Sequence, residues 1–143
     1  MCGLVALDSF VIHEEATQLT DDACTDLWRL VNLRHLEIAC PGITGRGLVS
    51  PRELAKLESL SLSGPDTTDA ALQFASRAPS LERLSIGNWR TGGPAAITDT
   101  VLLALASARK LKQVDFIRRN SPITDIAAEK LRAARPTLTL NLR

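Results

Sequence analysis

Leu81-Glu82-Arg83-Leu84-Ser85-Ile86 places three apolar residues at the spacing Leu-x-x-Leu-x-Ile, and the same spacing returns along the 143-residue chain. With the first Leu of each trio as an anchor, the anchors are Leu4, Leu33, Leu57, Leu81 and Leu111. The interval is equal from Leu33 to Leu57 and from Leu57 to Leu81, and somewhat longer on either side. The trios read Leu4/Leu7/Ser9, Leu33/Leu36/Ile38, Leu57/Leu60/Leu62, Leu81/Leu84/Ile86 and Leu111/Val114/Phe116, and Thr137/Leu140/Leu142 closes the chain one interval further on. Alternation within each trio is the mark of a short strand with one buried side.

A second anchor stands at a constant distance before each following trio: Leu19, Ile43, Thr67, Ile97 and Ile123. Each is followed by Thr, and four of the five continue as Thr-Asp: Thr20-Asp21, Thr68-Asp69, Thr98-Asp99 and Thr124-Asp125, with Thr44-Gly45 the exception. A Thr hydroxyl can accept from a free amide of a first helical turn, and an Asp beside it complements the positive helix end. The pattern predicts a helix start in each unit. Five, eight and eleven positions past the second anchor, mostly apolar residues set one inward stripe, for example Leu72, Ala75 and Ala78, on a helix of about three turns. Four positions past it stand Ala23, Gly47, Ala71, Val101 and Ala127, small enough to pack closest to the sheet.

Each unit is thus strand, loop, capped helix and return. This arrangement resembles the leucine-rich-repeat family in its bacterial or cysteine-containing style, with Ile/Val-Thr-Asp opening the helix, and the resemblance covers nearly the whole chain. It implies an α/β fold: a right-handed solenoid, a horseshoe segment of about five strand-loop-helix repeats plus a closing strand at 137–142, with a parallel sheet on the concave face. One domain, residues 1–143, is expected, with repeats starting near 4, 33, 57, 81 and 111. Ser9 departs from the pattern, and Pro51 restricts Ser50 and predicts that the second helix starts late or breaks there. The variable stretches Phe10 to Gln18, Gly87 to Ala96 and Ile117 to Pro122 read as linkers between strand and helix, on the rim of the horseshoe.

Composition agrees with a thinly layered aliphatic core: 45% of residues are apolar and only 3% aromatic. A formal charge of +1 argues against nucleic acid or an anionic membrane as a general electrostatic partner. Met1 to Leu7 lack the basic flank of a signal peptide, no window is apolar enough to span a membrane, and three unpaired cysteines suit a reducing cytoplasm.

Constellations for chemistry are sparse. Met1-Cys2-Gly3 resembles the start of N-terminal-cysteine amidotransferases, a remote amidohydrolase reading that ends after those residues. Cys24 takes a position held elsewhere by Leu48, Leu72 and Leu102, Cys40 has no partner at metal-ligand spacing, and His13 and His35 are solitary. Gly92-Gly93-Pro94 lacks the Lys of a phosphate loop. No catalytic set, cofactor or metal site is predicted. Charge is polarised along the chain, with Asp21, Asp22 and Asp26 early and Arg109, Lys110, Lys130, Arg132 and Arg135 late.

The residues between the buried positions face the open side of the sheet. The central column reads Asp8, Glu37, Ser61, Ser85, Asp115 and Asn141; beside it run Ala6, His35, Ser59, Arg83, Gln113 and Thr139; outermost are Val5, Arg34, Glu58, Glu82, Lys112 and Leu138. This mildly acidic, hydroxyl-rich face suits a protein or peptide carrying Lys or Arg. Trp89 and Arg90, in the longest insertion, are residue types enriched at binding hot spots, and Trp28 is a second exposed candidate. The expected role is a non-enzymatic protein-binding module. An inhibitor or immunity protein of the same fold is the alternative, and self-association or a partner chain is expected to cover an uncapped end.

Overall fold

The repeated trio becomes a repeated strand. In the computed structural model, which describes residues 6–13, 19–48, 52, 54–64, 66–87, 97–117 and 122–143 (Trp28 by its backbone alone), there are six strands, with helices in four of the five intervals between them. The strands are β1 (Ser9–His13), β2 (His35–Ala39), β3 (Ser59–Leu62), β4 (Arg83–Ile86), β5 (Gln113–Phe116) and β6 (Thr139–Leu142). They form one sheet in chain order, every pair parallel. Between them run α1 (Asp21–Cys24, continued by a 3₁₀ turn at Thr25–Arg29), α2 (Asp69–Arg77), α3 (Asp99–Ala104, continued at Leu105–Ser107) and α4 (Asp125–Ala134).

The four central trios, from Leu33/Leu36/Ile38 to Leu111/Val114/Phe116, fill the core, and none of their twelve residues is more than 1% exposed. Beneath them lie Cys24, Leu48, Leu72, Leu102 and Ala128 from the helical side, joined by Leu27, Ala75, Leu105 and Leu131. Each buried Leu contributes roughly 1.5–3 kcal/mol of transfer free energy, so the stacked aliphatics dominate stability. The eleventh position of the stripe holds through Ala108 and fails at Ala134, which is exposed in the last unit.

Two expectations are corrected. Strand β1 pairs Ser9 with His35, Phe10 with Leu36 and Ile12 with Ile38, so the first trio is Leu7/Phe10/Ile12, starting three positions later than Leu4. The physical reason is complete burial potential: this register puts an apolar side chain at all three inward positions, where the Leu4 register leaves Ser9 inward. Phe10 to His13 are therefore strand and not linker. In the second unit, no helix forms among the described residues between β2 and β3. Gly45 adopts φ +93, and a Cβ there would come within 2.8 Å of Ala71, so this backbone cannot open a helix as the Thr-Asp sites do. Ser50 and Pro51 lie outside the described residues.

The Thr-Asp pairs do more than cap. Asp69 accepts from the Thr98 amide (2.7 Å) and hydroxyl (2.8 Å), and Asp99 accepts from the Thr124 amide (2.8 Å) and hydroxyl (2.7 Å). Asp21 likewise accepts from the amides of Thr44 and Gly45, both at 3.1 Å, and from the Thr44 hydroxyl. Where Gly45 supplies no carboxylate, the Thr68 amide and hydroxyl donate to the Thr44 carbonyl, both at 3.0 Å. The Thr of each later unit is thus tied sideways to the unit before it. Thr68 and Thr124 also accept from Ala70 and Ala127 amides as helix caps, while Thr20 and Thr98 make no such side-chain bond. At Asp99 the amide and hydroxyl bonds from Thr124 stabilise the charged form and hold the carboxyl below the ordinary range.

The small position four past the second anchor serves the same seam at Gly47. A Cβ on Gly47 would meet the Asp21 carbonyl at 2.2 Å and the Cys24 Cβ at 2.7 Å, both in the preceding unit. Ala71, Val101 and Ala127 are buried at this position, whereas Ala23, in the first unit, is exposed. Among the described residues, no helix is long and apolar enough to cross a membrane.

Candidate functional site

The parallel register sets the outward residues side by side. Val11, Glu37, Ser61, Ser85, Asp115 and Asn141 pair directly across successive strands and form the central column. Ser9, His35, Ser59, Arg83, Gln113 and Thr139 form the next. Arg34, Glu58, Glu82 and Lys112 precede the strands and are aligned by amide bonds from Glu58 to the Arg34 carbonyl, Glu82 to Glu58 and Lys112 to Glu82, each 2.8 Å. The corrected register moves Asp8 from the central column to this outer one, where its carbonyl accepts from the amides of Arg34 (2.7 Å) and His35 (2.9 Å). Val11, 53% exposed, takes the central place.

Neighbouring strands lie about 4.8 Å apart, so the Glu37 and Asp115 carboxylates sit roughly 14 Å from one another with Ser61 and Ser85 between them. The rigid element is the sheet itself: Leu36/Ile38, Leu60/Leu62, Leu84/Ile86 and Val114/Phe116 hold its underside in the core.

Most charges on this face are already paired. Arg34 contacts Glu58 at 3.3 Å and Lys112 contacts Glu82 at 2.9 Å, linking adjacent strands in the outer column. His13 Nε2 lies 3.2 Å from Glu37, an ion pair when the imidazole is protonated. Exposed pairs of this kind contribute about 0–1 kcal/mol each, so their effect is to fix where charge stands more than to hold the fold. Asp115 is clamped from both sides: Gln113 Nε2 donates to one carboxylate oxygen at 2.5 Å and Asn141 Nδ2 to the other at 2.7 Å. Arg83 is exposed and has no ion pair among the described residues.

The structure thus brings twelve of the predicted residues onto one surface: Arg34, His35, Glu37, Glu58, Ser59, Ser61, Glu82, Arg83, Ser85, Lys112, Gln113 and Asp115. Trp89 and Arg90 lie outside the described residues, as do Cys2 and Gly92 to Pro94; Trp28 stands in the 3₁₀ turn after α1. His13 and Asn141 join the face through their contacts with Glu37 and Asp115. His13 is readable in principle, since the apolar alternation Leu7/Phe10/Ile12 fits the trio better than Leu4/Leu7/Ser9.

Both described cysteines are core residues, Cys24 at 3% and Cys40 at 1% exposure. Burial, reinforced by the nearby Asp21 and Cys40, pushes the Cys24 thiol up to about 11, which keeps it neutral and a poor nucleophile at ordinary pH. Among the described residues no group of three His, Cys, Asp or Glu side chains is placed to hold a metal ion. Neither a family model nor a curated protein matches this chain, so the sheet's own geometry is where a functional reading begins.

Proposed function

We propose that the chain is a right-handed leucine-rich-repeat solenoid whose uncovered sheet face binds a protein or peptide, without catalysis. One observation carries the reading: five adjacent strands in parallel register present Glu37, Ser61, Ser85, Asp115 and Asn141 as one ordered polar row on a buried aliphatic base. The row offers carboxylates at Glu37 and Asp115 with hydroxyls between them, flanked by Arg34–Glu58 and Glu82–Lys112 pairs that are neutral as units. A partner surface presenting a Lys or Arg toward each carboxylate, and hydrogen-bonding groups between, complements it. Asp115 is the better anchor, because its two amide donors hold the carboxylate in place before a partner arrives, which lowers the ordering cost of binding.

The test is affinity capture from native lysate with the wild-type chain beside Glu37→Lys, Asp115→Lys and Trp89→Ala variants. A captured protein lost with the two charge reversals supports the reading. If the captured set is the same for all variants, the face is not the site.

A further inference from the structure

Charge in this molecule divides by edge and not only along the chain. The helix ends and the segments that run from them to the next strand carry Arg29, Arg34, Arg52, Lys56, Arg77, Arg109, Lys110, Lys112, Arg132 and Arg135 against Asp26, Glu53, Glu58 and Glu82, a net basic balance. The segments that run from strand to helix, with the helix starts, carry Glu14, Glu15, Asp21, Asp22, Asp66, Asp69, Asp99 and Asp125 against Arg46, Arg90, Arg118 and Arg119, a net acidic balance. Because the strands are parallel and consecutive, all connections of one kind fall on the same edge of the sheet. Adjacent units also touch along this edge: Lys56 Nζ donates to Asn32 Oδ1 at 2.6 Å between two connections, and Ser107 Oγ, at the end of the turn that continues α3, donates to the Ser76 carbonyl of α2 at 3.3 Å.

The two edges differ in how their charges are used. Four carboxylates of the acidic edge accept backbone or hydroxyl protons from a neighbouring unit, including Asp66 from the Gly42 amide at 2.9 Å. Among the described residues the basic edge carries Asp26, 3.7 Å from Arg29, and Glu58 and Glu82, which pair with Arg34 at 3.3 Å and Lys112 at 2.9 Å; Glu53 also belongs to these segments and lies outside the described residues. Favourable interaction with helix C-termini accounts for Arg77 and Arg132. It does not account for Lys56, Arg109 and Lys110, which lie beyond helix ends. Arg109 and Lys110 are exposed, and no side-chain hydrogen bond or ion pair engages them among the described residues. Their turn is nevertheless fixed, because the Arg135 guanidinium donates to the carbonyls of Ala106 (3.3 Å), Ala108 (2.6 Å), Arg109 (3.2 Å) and Leu111 (2.9 Å).

We propose that this edge, centred on Arg109 and Lys110, is a second interaction surface that takes an extended acidic segment of a protein partner. The occupant follows from the range of the field. A formal charge of +1, with an acidic edge only a strand length of about 13–17 Å away, leaves little attraction beyond a Debye length of about 8–10 Å. Polyphosphate binding draws on long-range attraction and the release of many counterions. Carboxylates of a short peptide need only local contact, and guanidinium groups match them with two parallel hydrogen bonds. Arg135 acts as a positioning residue that holds the presenting turn.

Fluorescence anisotropy with a labelled oligoglutamate peptide, and in parallel with a labelled oligothymidylate of equal charge, tests this on the full chain. The expected result is saturable peptide binding that weakens with added salt and exceeds the oligothymidylate binding. The double variant Arg109→Glu/Lys110→Glu should weaken the peptide by about tenfold or more. Arg109→Gln/Lys110→Gln should give an intermediate loss, and the charge-matched pair Arg46→Glu/Arg143→Glu, at the other strand ends, should change it by no more than about twofold. A melting curve checks that each variant is folded. The proposal is overturned by absence of saturable peptide binding, by equal losses in the two charge-reversed pairs, or by tighter binding of the oligothymidylate, which would make the edge a nucleic-acid surface.

Discussion

Thr67 occupies a position filled by Ile43, Ile97 and Ile123 in other units, is 1% exposed, and its hydroxyl has no hydrogen-bond partner among the described residues. A buried unpaired hydroxyl costs desolvation that an isosteric methyl does not, so Thr67→Val is expected to raise stability by about 1 kcal/mol in denaturant titration. A loss of that size would mean the hydroxyl is bonded in solution. Cys24 gives a pH-linked expectation of definite sign. Its folded pKa, about 11, lies above that of an unfolded thiol, so its contribution to stability is complete below the unfolded value and declines as pH rises toward 11. Iodoacetamide at mildly alkaline pH should leave Cys24 unmodified in the native chain and label it in denaturant; native labelling at the rate of a free thiol would contradict its burial. Gly45 shows how a repeat can be restored on paper and damaged in fact. Gly45→Asp recreates the Thr-Asp pair, yet it puts a side chain at φ +93 and against the Ala71 backbone, so calorimetry should show a lower melting temperature than wild type.

At the level of elements, the central strands are legible because Leu-x-x-Leu-x-apolar alternates with the pleat and repeats at near-constant intervals, leaving one register that buries all three residues. The first strand escapes that reading by three positions because Leu7 belongs to two overlapping patterns, Leu4/Leu7 and Leu7/Phe10/Ile12, and Leu-x-x-Leu by itself does not choose between them. The outward columns follow from strand parity and are legible for β2 to β5. The clamp on Asp115 and the cross-strand pairs are not, since which rotamer meets which neighbour depends on side chains a full repeat away in sequence. The sideways role of the Thr-Asp pairs is hidden for the same reason: a local cap explains the residues without reference to the next unit. Burial also ranks the strands. Leu84→Ala should cost about 2–5 kcal/mol in denaturant titration, and Leu7→Ala, half-buried at the sheet edge, distinctly less; equal costs would mean the edge is as tightly packed as the centre.

For the whole molecule, each unit meets its neighbours through three parallel seams: the sheet ladder, the stacked aliphatics, and the row of Thr links on the helical side. The charge division by edge belongs to this scale as well, because it emerges only when the units are placed side by side.

The Thr links are chemically unlike one another, and acid should expose the difference. Three of them end on carboxylates, Asp21, Asp69 and Asp99, but the link between the second and third units ends on the Thr44 carbonyl, which takes up no proton in this range. At Asp99 the sign is set: a folded pKa below the ordinary value gives stability that is present above that value and lost as pH falls through the folded one. In acid strong enough to protonate Asp99, hydrogen exchange at the Thr124 amide should accelerate before it does at Thr68. Uniform acceleration would refute this order. The order itself, Thr124 before Thr68, would mark the carbonyl-ended link as an acid-proof weld, at the junction where the repeat is least regular.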